Sequence, residues 1–144
     1  MTDIILDLIY CFAASLFFAL IMNAPGKTLI HTSIAASVGY AIYMSCSNQL
    51  NTTLGYFAGT TFVAMIGEIF ARKFKMPATT FIFPAVVPIV PGLGLYQTML
   101  ALVQNDIPSA LEIGANTILN IAAMATAMAM VSVLALKMKS RNTN

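Results

Sequence analysis

This chain encodes an all-α, polytopic membrane protein of about five transmembrane helices, the fourth of them broken by proline and glycine. Three observations carry that reading. First, hydrophobic residues make up 59% of the chain and charged residues 8%, with a mean hydropathy of +0.85. A soluble domain carries roughly a quarter charged residues, because it needs a solvated surface; this chain cannot cover itself with polar groups, so lipid is its solvent. Second, apolar stretches recur near residues 4–22, 28–46, 53–71, 79–103 and 112–136, each close to the about 20 residues that cross a bilayer. Third, the basic residues sit in three places: Lys27; Arg72, Lys73 and Lys75; and Lys137, Lys139 and Arg141. If the spans alternate, all three clusters fall on one side. Lys and Arg are retained on the cytoplasmic side, so the N-terminus is expected outside and the C-terminus in the cytoplasm.

Taken in order, the first span follows a start, MTDIILDLIY, with no basic n-region and no small-residue cleavage site, so it reads as a retained helix. Asp7 lies one turn inside its outer boundary and Cys11 further in. The turn Asn23-Ala24-Pro25-Gly26 leads to the second span, with His31 near its start and Cys46 at its outer end. Two cysteines without a spacing motif indicate neither a metal site nor a disulfide framework. The third span opens on Asn51-Thr52-Thr53, a weak glycosylation sequon. It carries Gly55 and Gly59, a pair that lets helix backbones approach, within one chain or between chains. Asn105 to Ser109 forms the last connector, and the fifth span presents Ala122, Ala123, Ala125, Ala127 and Ala129 as a low-relief surface. Connectors this short leave no room for a soluble domain, so residues 1–144 read as one transmembrane unit.

The chemistry concentrates in FPAVVPIVPGLGLYQTM, residues 83–99. A proline has no N–H and so releases the carbonyl four residues earlier. Pro84, Pro88 and Pro91 are thus expected to free the carbonyls of Thr80, Pro84 and Val87, on one face if the segment is helical. Unsatisfied groups cost several kcal/mol each in hydrocarbon, so they must face protein or a wet cavity. Pro91-Gly92-Leu93-Gly94 is expected to end regular helix near the bilayer midplane. The helix restarting after it has amides without partners and about half a positive charge at its N-terminus, which suits a carboxylate. Broken helices of this polarity hold anionic groups in transporters; a proline kink repaired by neighbouring helices is the plainer alternative.

Asn116 and Asn120 are one turn apart on the last span. Asn120 is level with the break and serves either a ligand or interhelical bonding. Candidate substrate-binding residues are therefore Pro88, Pro91, Gly92, Gly94, Tyr96, Asn116 and Asn120. Glu68 and His31 lie at similar depth near the inner mouth. Together they form a candidate proton-exchanging pair for ion coupling, with a Glu68–Arg72 helical ion pair as the alternative. No catalytic constellation is present: a single His, and no H-E-x-x-H, G-x-S-x-G or G-K-[ST] motif. The chain is not read as an enzyme, and nothing in it calls for a metal or other cofactor. No basic-aromatic run suggests nucleic acid.

The run GEIFARKFKMPATTFIFPAVVPIVPGLGLY (67–96), with Asn23, Pro25 and Asn116, resembles the threonine/serine exporter family, and most closely the short subunit of its two-component form. Matching positions are Glu68, Arg72, Pro77, Pro88, Pro91, Gly92, Tyr96 and Asn116. The resemblance implies a secondary exporter in the bacterial inner membrane, with a larger membrane subunit as partner. Its cargo would be threonine and serine, or a dicarboxylate such as succinate. A non-transporting scaffold subunit is the other function consistent with so small a bundle.

Overall fold

In the computed structural model, the backbone is described for residues 2–141 and side chains for residues 4–137, so Asp3, Lys139 and Arg141 lie outside the described side chains. Six α-helices follow one another: α1 (Thr2–Ile21), α2 (Gly26–Gln49), α3 (Thr52–Phe74), α4 (Thr79–Val86), α5 (Gly92–Val103) and α6 (Ile107–Arg141), with a 3-10 turn at Val87–Ile89 between α4 and α5. Helix is what the apolar composition demands, since in lipid each backbone group must find its partner within the segment. Among the described residues, four helices are long and apolar enough to cross a membrane, and the Thr79–Ile89 and Gly92–Val103 pair, bent by 57°, makes a fifth where the two count as one broken span.

The connectors stop the helices by local chemistry. Asn23, Lys75 and Asn105 each adopt positive φ, of 54°, 55° and 58°, the left-handed turn that satisfies the last carbonyls of a helix. At α3, for instance, Lys75 N–H donates to the Ala71 carbonyl. Asn51 caps the start of α3, its Oδ1 accepting from the Thr53 N–H at 3.0 Å, so the sequon asparagine has a structural task. α6 begins at Ile107, five residues before the expected span. Pro108 falls in its first turn, where its missing N–H would have had no partner anyway.

α2 and α3 pack most closely. A Cβ at Gly59 would lie 2.9 Å from the Gly39 carbonyl oxygen, and one at Gly55 2.8 Å from that of Tyr43. The Gly55–Gly59 pair therefore serves packing within the chain. α1 is joined to α2 by the Ser37 hydroxyl, which donates to the Leu8 carbonyl at 3.0 Å. α4 and the 3-10 turn pack against α1, α2 and α3. The inner faces of α2, α3, α4, the 3-10 turn and α6 meet in a core of Ala36, Tyr56, Val63, Ala85, Val86, Ile89 and Met124. α6 packs on α3, while α5 packs on α6 alone. α5 thus stands away from every helix but α6, and Leu93, Met99, Val103 and, on α6, Leu111 are each about two-thirds exposed or more.

Candidate functional site

The break lies between Ile89 and Gly92. Ile89 rests against Gly39, near the middle of α2, so the interruption is at mid-depth. Its backbone is unlike the expected stripe of three free carbonyls. The Val90 N–H is shared between the carbonyls of Val86 and Val87, both at 3.3 Å. The Val87 carbonyl is therefore occupied; the 3-10 turn tightens the last winding and takes it up. Pro88 and Pro91 have no N–H to offer. Gly92 N–H then folds back onto the Val90 carbonyl at 2.7 Å, and the first bond of α5 runs from Leu95 N–H to the Pro91 carbonyl at 3.2 Å. The amides of Leu93 and Gly94 precede that bond and find no acceptor among the described residues. Gly92 and Gly94 belong to the first turn of α5 rather than to the interruption.

A cavity of about 380 Å³ opens at this point, lined from the 3-10 turn into α5 by Pro88 to Gly94 and Gln97, from α2 and α3 by Tyr40, Tyr43 and Tyr56, and from α6 by Thr117 and Asn120. Small-ligand sites occupy roughly 300–1,000 Å³. No charged side chain lines it; its polarity comes from phenols, amides, one hydroxyl and the α5 amides. The tyrosine rings follow one another as tilted pairs, with centroids 5.7 Å apart for Tyr40–Tyr43 and 4.7 Å for Tyr43–Tyr56. Asn120 reaches the cavity while its Oδ1 accepts from the Thr53 hydroxyl at 2.9 Å, which joins α6 to α3. Gly94 is where α5 meets α6: a Cβ there would collide with the Thr117 hydroxyl.

Of the seven residues expected to bind substrate, the fold brings together Pro88, Pro91, Gly92, Gly94 and Asn120. Tyr96 is 63% exposed and Asn116 is also exposed, and neither lines the cavity. The buried line of α6 runs through Thr117, Met124, Ala127, Val131 and Ala135, which leaves Asn116 about 100° off it. The three tyrosines, Gln97 and Thr117 were not expected. Their only sequence signal was a run of tyrosines on neighbouring spans, and it acquires meaning only once α2 pairs with α3.

Glu68 and His31 do not face each other. His31 is exposed at the end bearing Lys27, its ring edge-on to Phe70 and Phe74 at 5.5 and 5.1 Å. Its Nδ1 donates to the Lys27 carbonyl at 3.1 Å. Glu68 is two residues from Phe70, hence on the other side of α3. It lines two clefts, one between α3 and α6 with Arg72, Met130 and Leu134, the other reaching Thr79 and Ser132. Arg72 donates to the Ala135 carbonyl of α6 at 3.0 Å, so it ties α3 to α6 rather than serving only its own helix.

Set beside known proteins, residues 7–134 match the family model "Threonine/Serine exporter, ThrE". The chain is also 24% identical over 106 residues to an uncharacterized protein of Haemophilus influenzae. That match covers 72% of this chain and 35% of the relative, so the chain spans about a third of the relative's length. No solved structure matches it. On the match to most of its length, the chain belongs to the threonine/serine exporter family.

Proposed function

We propose that the chain is one membrane subunit of a secondary exporter for small carboxylate-bearing solutes, threonine and serine or a dicarboxylate such as succinate, acting with a larger membrane subunit. The carrying observation is the neutral cavity at the break, where two amides without acceptors meet a wall of phenols. A carboxylate docked at the start of α5 would take the Leu93 and Gly94 amides and the positive end of the helix dipole. An α-ammonium group would be met by the faces of Tyr43 and Tyr56 and by the amide oxygens of Gln97 and Asn120. Neutral walls suit a solute that must be held and then released.

The three basic clusters support an orientation with the end bearing Lys27 in the cytoplasm, and the proposed location is a bacterial inner membrane. Glu68, between two clefts of the α3–α6 face, is the proposed coupling carboxylate, without His31 as its partner. The test is efflux from cells expressing this chain with the larger subunit. Substitutions at Pro91, Gly92 and Asn120 are expected to lower it about tenfold or more while membrane insertion persists, and Glu68→Gln to uncouple it from the ion gradient. Wild-type efflux from all of the break variants refutes the site. One observation favours a non-transporting scaffold: Asn120 is already engaged by Thr53. On that reading the larger subunit transports alone once its abundance is restored.

A further inference from the structure

Hydroxyl groups in membrane helices ordinarily bond back to a carbonyl of their own helix. Among the described residues, Ser33, Ser45, Thr61, Thr98, Thr117 and Thr126 do so, and Thr28 bonds the carbonyl of Pro25 at the cap of its helix, all at 2.7–3.0 Å. Ser15, Thr32 and Thr60 do not. Their oxygens have no partner, although the three residues are only 0%, 1% and 0% exposed. A buried hydroxyl left unbonded keeps the full cost of its lost hydration, so water or a solute is the expected partner.

Their positions share one feature. Ser15 is on α1, Thr32 on α2 and Thr60 on α3, the three helices that pack against α4 and its 3-10 turn. The levels follow from contacts already described. His31 and Phe81 both pack on Phe70 and Phe74, so Thr32 is level with the first turns of α4. The Ser37–Leu8 bond between antiparallel helices sets Ser15 within one turn of the same level. Pro84, fully buried, leaves the Thr80 carbonyl at that level without its usual donor. Below it, a cavity of about 330 Å³ opens at the basic end, lined by Asn23, Thr79, Thr80 and Phe83 among others. Above it, Thr60 is one turn from Tyr56, a wall of the break cavity. Between the two levels Ala36 and Ala85, 0% and 1% exposed, close the space with small side chains.

We infer that the solute passage runs alongside α4, between it and α1 to α3. It joins the basic-end cavity to the break cavity, with Ser15 and Thr32 as the wetted lower section, Thr60 as the upper, and Ala36 and Ala85 as the closed section between. This rests on the reading of the break as the solute site and adds the route to it. The alanines make the closure shallow, so a small movement of the short α4 opens it. The passage takes water and small polar solutes, because its lining offers hydroxyls and one released carbonyl but no charge.

The test is thiol accessibility in membranes carrying the full chain with its larger subunit, in a Cys11→Ala, Cys46→Ala background. Single substitutions Ser15→Cys, Thr32→Cys and Thr60→Cys are compared with Ala127→Cys, equally buried on the α3–α6 seam. A small membrane-impermeant methanethiosulfonate is expected to modify Ser15→Cys and Thr32→Cys from the basic-end side at least tenfold faster than Ala127→Cys. Thr60→Cys is expected to react from the opposite side. Reaction of all three no faster than Ala127→Cys overturns the passage, whatever the efflux assay says of the break. Ser15→Ala and Thr32→Val supply a second readout: several-fold slower efflux at unchanged stability supports the passage, whereas raised stability with wild-type efflux marks the hydroxyls as dry and overturns it.

Discussion

Gly92 and Gly94, two residues apart at the start of α5, separate the roles of packing and binding. At Gly94 an added methyl would meet the Thr117 hydroxyl, and would lie 3.3 and 3.4 Å from Thr117 Cγ2 and Cβ. That hydroxyl is held by the Ile113 carbonyl at 2.7 Å, so relief requires breaking the bond or spreading α5 from α6. Overpacking of this kind costs about 1–3 kcal/mol, offset by the roughly 0.5–1 kcal/mol that alanine gains over glycine in a helix. Gly94→Ala should therefore lose about 1–2 kcal/mol. At Gly92 nothing lies within 4 Å of the added methyl, so Gly92→Ala should match or slightly exceed the parent in stability. Gly92 lines the cavity next to Leu93 and Gly94, so the methyl is expected to crowd a bound carboxylate and efflux to fall about tenfold, equivalent to about 1.4 kcal/mol of lost interaction. Denaturant unfolding in detergent and efflux in cells with the larger subunit read the two effects separately. Equal stability loss in both variants refutes the packing argument; wild-type efflux from Gly92→Ala refutes the binding argument.

Other expectations are more local. Thr53→Val combined with Asn120→Leu in a double-mutant cycle should give a coupling of about 0.6 kcal/mol, as interhelical bonds in membranes do; a value of zero removes the α3–α6 bond. Lys75 holds a left-handed conformation at φ 55°, which costs a side-chain-bearing residue about 1–2 kcal/mol. Lys75→Gly should accordingly raise the unfolding midpoint, and a lowered one counts against the cap. Asp106, in the connector before α6, has its carboxyl held below the usual range by the Ser109 hydroxyl and then the Ser109 N–H. Its contribution to the α6 cap is full above the ordinary carboxylate pKa and disappears as pH falls through the lowered one. Exchange protection of the Ser109 amide should follow that titration in the parent and be flat in Asp106→Asn.

Much of the architecture was legible because composition and helix length are local properties. Apolar runs located the long helices to within about five residues at each end, and Pro88, Pro91 and Gly92 located the break. The site was legible only in part. Pro88 to Gly94 are contiguous, so any break in the backbone groups them, whereas Tyr40, Tyr43 and Tyr56 meet there only through the close α2–α3 approach at Gly39 and Gly59. Equal depth misled for His31 and Glu68, because depth fixes height along α3 but not the side of the helix. Asn116 shows the same weakness: sharing a broad face with Asn120 did not bring it into the cavity. Val87 escaped for another reason, since a switch to 3-10 winding re-pairs a carbonyl that α-helical counting leaves free.

The length of α6 has a consequence for the lipid around it. Its apolar stretch, Ile107–Lys137, has 31 residues, about 46 Å at 1.5 Å per residue, against a hydrocarbon thickness of about 30 Å. Standing upright it would thrust greasy turns into the headgroups, so it must lean. A thinner bilayer makes it lean further and carries α5 along with it, since α5 rests on no other helix. Acyl-chain length thereby becomes a lever on the angle at Pro91, and the same polypeptide will work differently in membranes of different composition.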